Sequence, residues 1–152
     1  DRGNRRQDAA RKAGRSVKVV FDTNVLVSAA ITAGGTCARI VDLLLNGEFD
    51  FCADDRILDE YEEVLQRPEL GICQADAVAL LELLRSLNKP VAAMPLPTSL
   101  PDPDDLAFLE VATAAGAILV TGNLRHFPKK ACKGTAVVSP TDFLELLRNC
   151  PE

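Results

Sequence analysis

Apolar positions along this chain alternate between short unbroken runs and stretches at helical spacing. Val17 to Phe21 is a mostly β-branched run that stops at Asp22, the pattern of a central strand buried on both faces of a parallel sheet. A helix is expected after Asn24. A second follows the Gly34-Gly35 break, where Cys37, Ile40, Val41 and Leu44 recur at helical spacing until Asn46-Gly47 stops them. Phe49 to Ala53 reads as a strand, and Asp54 or Asp55 caps a helix running to about Gln66, ended by Pro68. A longer helix is expected from near Gln74 to Leu87 and a third strand over Val91 to Met94. Pro95 to Pro103 is a loop, because proline cannot donate to a ladder. A helix from Asp104 to Ala115 ends at Gly116, and strands follow at Ala117 to Val120 and Thr135 to Val138. Ser139-Pro140-Thr141-Asp142 opens the last helix with a capping hydroxyl, proline at its first position and an acid in its first turn. Strands separated by helices in this rhythm predict an α/β sandwich around a mainly parallel sheet.

Length then bounds the organisation: 152 residues suffice for one core and not for two. No stretch has the roughly 18 uninterrupted apolar residues of a spanning helix. Asp22 and Asn24 interrupt the one segment resembling a signal sequence, so the expected location is cytoplasmic with no membrane partner. Cys37, Cys52, Cys73, Cys132 and Cys150 are scattered singly beside a single histidine, which suggests neither a disulfide framework nor a zinc site; they are read as core-filling thiols. The net charge of −5 is unevenly spread. Residues 1–18 hold seven basic side chains against two acids, leaving −10 on the rest. Residues 1–16 have few large apolar side chains and are expected to form a basic, disordered arm, either a solvated tail or a nucleic-acid contact, ahead of a domain spanning 17–150.

In open parallel sheets, ligands bind beyond the carboxyl ends of the strands, so residues just after strands carry the candidate chemistry. Asp22 closes the first strand, either capping the next helix or projecting into the crevice. Asp102-Pro103-Asp104-Asp105 brings three acids to a helix N-terminus, where negative charge is favoured anyway. Asp105 lies three, four and seven residues before Phe108, Leu109 and Ala112 and so shares their buried face, whereas Asp104 does not. A buried carboxylate needs compensation, and a metal ion is one form of it. In the helix after Asp54, the apolar face is set by Ile57, Leu58, Tyr61, Val64 and Leu65. Asp59 and Glu63 point away from it, and Glu60 and Glu62 lie at its two edges, where spacing does not choose between them. Thr121-Gly122-Asn123 follows another strand, with Arg125, His126 and Phe127 close behind; the histidine is read as a surface or packing residue. There is no nucleophile elbow, glycine-rich phosphate loop or zinc spacing. Metal-assisted hydrolysis with hard oxygen ligands is the economical reaction class.

Four segments, Phe21-Asp22-Thr23-Asn24-Val25-Leu26-Val27-Ser28, Leu58-Asp59-Glu60-Tyr61-Glu62-Glu63-Val64-Leu65 with Arg67-Pro68, Asp102-Pro103-Asp104-Asp105 with Phe108-Leu109, and Val120-Thr121-Gly122-Asn123, resemble the PIN domain family in order and spacing. The resemblance covers about residues 17–148 and is strongest to the toxins of toxin-antitoxin pairs. It implies a three-layer α/β/α sandwich with a five-stranded parallel sheet and a Mg²⁺- or Mn²⁺-dependent endoribonuclease. Asp22, Glu60 and Asp105 would hold the metal; the resemblance, not helix geometry, selects Glu60. Thr121 and Asn24 would be supporting polar groups, and Asn123 stands where many relatives have a fourth catalytic acid. It offers a neutral oxygen but no charge. The implied partners are an RNA substrate, an antitoxin protein and a second copy of the chain. The alternative is a PIN-like module that binds nucleic acid or protein with little hydrolysis. A phosphatase of the haloacid-dehalogenase type is excluded, because it needs an acid at the position of Asn24.

Overall fold

The computed structural model describes residues 17–149; the basic arm 1–16 and Cys150 lie outside the described residues. β1 (Lys18–Phe21) leads into α1 (Thr23–Ile31) and α2 (Thr36–Leu45), then β2 (Asp50–Ala53), α3 (Asp55–Leu65), α4 (Gln74–Leu87) and β3 (Lys89–Pro90). The chain returns through α5 (Leu106–Ala115) to β4 (Ile118–Val120), α6 (Lys129–Cys132), β5 (Val137–Val138) and α7 (Pro140–Arg148). The five strands lie in the order β3-β2-β1-β4-β5, every pair parallel. The chain runs outward from β1 to β3 and then returns past β1 to β4 and β5. The helices joining the strands cover the sheet: α5 packs on β1, β2 and β4, and α3 and α4 pack on β2.

Local chemistry explains most boundaries. Asp54 caps α3 by accepting from the Ile57 amide at 3.2 Å, and Ser139 caps α7 by accepting from the Asp142 amide at 3.1 Å. α5 ends at Gly116, whose φ of 65° is the left-handed conformation that glycine adopts without a Cβ penalty. Before α5, residues Pro103–Asp105 form a 3₁₀ turn instead of the α-helix expected from Asp104.

The third strand is not where the apolar pattern placed it. Lys89 and Pro90 pair with Cys52 and Ala53, and Val91 to Met94 is irregular. β2 stops at Ala53 because Asp54 turns the chain into α3, so residues after Pro90 have no strand left to pair with. Val91 and Ala93 pack on the core without a ladder, and Met94 is exposed. A proline in this strand also requires an edge position, which β3 occupies. A second correction concerns the thiols. Cys37, Cys52 and Cys132 are buried, but Cys73 is exposed at the start of α4.

The core joins six rings in series. Phe143 of α7 meets Phe49, which meets Phe21 of β1, Phe51 of β2, Tyr61 of α3 and Phe108 of α5, with successive centroids 5.1 to 6.4 Å apart. Fully buried Tyr61 donates its hydroxyl to the carbonyl of Phe21, the residue before Asp22. Tyr61→Phe keeps the ring and removes that donor, leaving a buried carbonyl unpaired. It is expected to cost about 1–2 kcal/mol, measured by urea unfolding.

Candidate active site

Asp22 takes the N-cap position of α1 but makes no side-chain capping bond. Instead it faces β4: Thr121 Oγ1 donates to its Oδ2 at 2.8 Å, and Asn24 Nδ2 donates to the same oxygen at 3.2 Å. The hydroxyl of Thr121 also accepts from the Asn123 amide at 3.0 Å, and Asn24 Oδ1 accepts from the Gly122 amide at 3.0 Å. A Cβ at Gly122 would lie 3.3 Å from that Asn24 oxygen, so glycine permits the close approach. Asn24, Thr121 and the turn after β4 thus fix the orientation of Asp22. Asp22 is only 5% exposed, and burial raises its pKa more than the hydroxyl and amide donors lower it.

Asp105, 8% exposed, ends the 3₁₀ turn at the head of α5, on the buried side as its spacing predicts, while Asp104 is exposed. Desolvation, then the charges of Asp22 and Asp102, raise its pKa from 3.8 to about 6, against the lowering effect of His126. His126 Nδ1 lies 2.9 Å from Asp105 Oδ2. Asp102, which caps the same turn by accepting from the Asp104 amide at 3.0 Å, completes a group with Asp105 and His126 whose ligand atoms all lie within 4.8 Å of one another.

The three acids implied by the resemblance do not form such a group. The charge of Asp22 acts on Asp105, whereas Glu60 adjoins Thr23, whose Oγ1 is 3.5 Å from Glu60 Oε2, the limit of a hydrogen bond. Glu60 is half-buried, and its pKa is raised by burial and then by Glu63. Glu62, at the other edge of α3, is exposed and paired with Arg85 at 3.1 Å. Asn123 is partly buried beside Thr121, which its backbone amide binds.

Sequence reasoning placed His126 near the rim but read it as a surface or packing residue, and the structure holds it against Asp105. Two further participants were passed over. Arg56 and Glu110 form an ion pair at 2.8 Å, and Glu110, 5% exposed, also accepts from the Leu96 amide at 3.0 Å. That pair ties α3, which carries Glu60, to α5 and to the proline-rich segment leading to Asp102 and Asp105. Its signal was an acid between Leu109 and Val111 in an otherwise apolar helix.

The donor set suits a hard dication. Asp22 and Asp105 both have their pKa raised by desolvation, and Asp105 also by the charges of Asp22 and Asp102, so a cation would compensate them, and oxygen ligands match Mg²⁺ or Mn²⁺. Among the described residues, no single helix is long and apolar enough to cross a membrane.

Comparison with known proteins agrees with this architecture. An uncharacterized protein of Methanocaldococcus jannaschii is 29% identical over 110 residues, covering 70% of this chain and 71% of that protein. The fold is similar to PAE2754 of Pyrobaculum aerophilum (TM-score 0.57, 18% identity, 88% of this chain and 91% of that one). It is also similar to VapBC2 of Rickettsia felis, solved bound to a DNA fragment from their promoter (TM-score 0.53, 15% identity, 80% and 97%). FitAcB of Neisseria gonorrhoeae is a third such structure (TM-score 0.51, 16% identity, 81% and 98%). At these identities the likeness establishes the fold. Residues 18–125 match the PIN domain, and with most of the chain inside that match the protein belongs to the PIN domain family.

Proposed function

We propose that this protein is a divalent-metal-dependent endoribonuclease, with Asp22, Asp105 and Glu60 as its metal-holding acids. The observation carrying this reading is the placement of Asp22 and Asp105, buried acids from distant parts of the chain, on one rim where the charge of Asp22 raises the pKa of Asp105. Such groups destabilise a fold unless a cation neutralises them, so their retention at one point has a functional explanation. PIN domains are generally nucleases, which sets the reaction class.

When bound, Mg²⁺ or Mn²⁺ would neutralise the acids and polarise the scissile phosphate. Thr121 and Asn24 hold Asp22 Oδ2 so that the carboxylate does not swing away from the rim. His126 and the 3₁₀ turn orient Asp105, and Asn123 adds a neutral amide at the edge of the crevice. Hydrolysis adds the oxygen of water to phosphorus and releases a ribose oxygen. Lys129, Lys130 and Lys133, exposed around α6, would meet the RNA backbone. Action in the cytoplasm as the toxin of a type II toxin-antitoxin pair, with an antitoxin protein partner and homodimerisation, completes the proposal. It is supported by the likeness to VapBC2 and FitAcB.

The test is cleavage of single-stranded RNA with Mn²⁺ by the protein and its Asp22→Asn variant. Cleavage is expected to fall at least 100-fold in the variant and to stop with chelator. Equal inactivity of both proteins would favour the binding module, the reading to which the neutral Asn123 lends weight.

A further inference from the structure

Three residues after Asn123, which offers the rim only a neutral amide, the chain places an imidazole against Asp105. Asp102 caps a 3₁₀ turn that Asp105 ends, and the turn brings their carboxyls to one side. The 3₁₀ turn Leu124–His126 after β4 brings His126 to the same place. The Nδ1 to Oδ2 separation of 2.9 Å suits a shared ion as well as it suits a hydrogen bond. Two ligands in adjacent positions of an octahedron, with bonds of about 2.1 Å, stand about 3.0 Å apart. A dication can therefore take the place of the proton between them without moving either residue far. Asp102 closes the set, all three ligand atoms lying within 4.8 Å of one another.

We propose that Asp102, Asp105 and His126 form a mixed oxygen-nitrogen cation site in which the His126 imidazole supplies a nitrogen ligand beside the two carboxylates. The consequence is a preference for ions. Mg²⁺ demands oxygen ligands in near-ideal octahedral geometry, whereas imidazole suits first-row transition ions. The site therefore selects Mn²⁺ and Co²⁺ over Mg²⁺, and the exposed side of His126, 40% accessible, leaves an entry path. This inference rests on the metal-dependent reading of the rim and extends it to ligands and ion choice.

The experiment is Mn²⁺ electron spin-echo spectroscopy on the full chain, which reads nitrogen bound to the ion without reference to activity, together with calorimetric titration of Mn²⁺ and Mg²⁺. The protein is expected to show a directly coupled nitrogen and at least tenfold tighter binding of Mn²⁺ than of Mg²⁺. In His126→Gln the nitrogen signal should vanish and Mn²⁺ affinity drop at least tenfold, with Mg²⁺ affinity changed less than threefold. Bound Mn²⁺ without nitrogen coupling, or equal loss of both ions in the variant, would overturn the proposal and leave Asp105 and His126 as a simple ion pair. RNA cleavage separates this from the nuclease reading. Nitrogen-coupled Mn²⁺ in a protein that cuts no RNA retains the site and removes the nuclease, and cleavage with uncoupled Mn²⁺ does the reverse.

Discussion

In metal-free buffer at pH 7.5, Asp105→Asn is expected to be more stable than the unaltered protein and, once Mn²⁺ is added, to cleave RNA at least 100-fold more slowly. Asp105 titrates at about 6 in the fold because it is desolvated and faces Asp22 and Asp102. Its unfolded value is 3.8. An acid whose folded pKa is raised makes the native state bind more protons than the unfolded chain between those two values. Stability therefore falls as pH rises through that window and stays low above it. The full penalty is at most about 3 kcal/mol, reduced by whatever the His126 pairing returns. The neutral asparagine carries no such penalty, so its advantage grows between about pH 4 and pH 6 and then levels. Thermal unfolding in chelator at several pH values measures this. With Mn²⁺ at pH 7.5 the order reverses, because the ion stabilises the carboxylate form by mass action and has lost a ligand in the variant. An Asn variant no more stable in chelator at any pH would show that the rim carries no electrostatic strain, removing the argument for a cation there.

Breaking the Arg56–Glu110 pair is expected to be the most damaging single polar change outside the rim. Glu110 is buried and its ion pair is short, whereas Arg56 is half exposed, so water recovers part of what the guanidinium loses. Arg56→Ala is expected to cost about 2–3 kcal/mol, below the 3–5 typical of a fully buried pair. Glu110→Leu removes the unpaired acid as well as its bond to the Leu96 amide. The double variant should therefore be less destabilised than the sum of the two, because an apolar replacement leaves no buried charge behind. Urea denaturation gives the energies, and hydrogen exchange at Leu96 reports whether the segment ahead of Asp102 loosens. An additive double variant with unchanged exchange would mean that the pair does not anchor that segment.

The sequence alone was sufficient for features governed by neighbours within a few residues. The parallel α/β class, most helix limits, the Ser139 cap, the Gly116 stop and the buried position of Asp105 follow from periodicity and turn chemistry, and four short motifs pointed to the family. It failed where a partner far along the chain decides. Val91 to Met94 has strand-like residues but no strand left to pair with, and Cys73 was assigned to the core although it lies exposed at a helix start. The orientation of Asp22 depends on Thr121, the role of Glu110 on Arg56 and Leu96, and the setting of His126 on Asp102 and Asp105. Each is a contact across 14 or more residues, made through hydrogen bonds and charges whose direction no spacing rule encodes. Local backbone preference and burial periodicity thus set which elements form. Only packing those elements around one sheet determined which polar groups share the rim, and hence what chemistry can occur there.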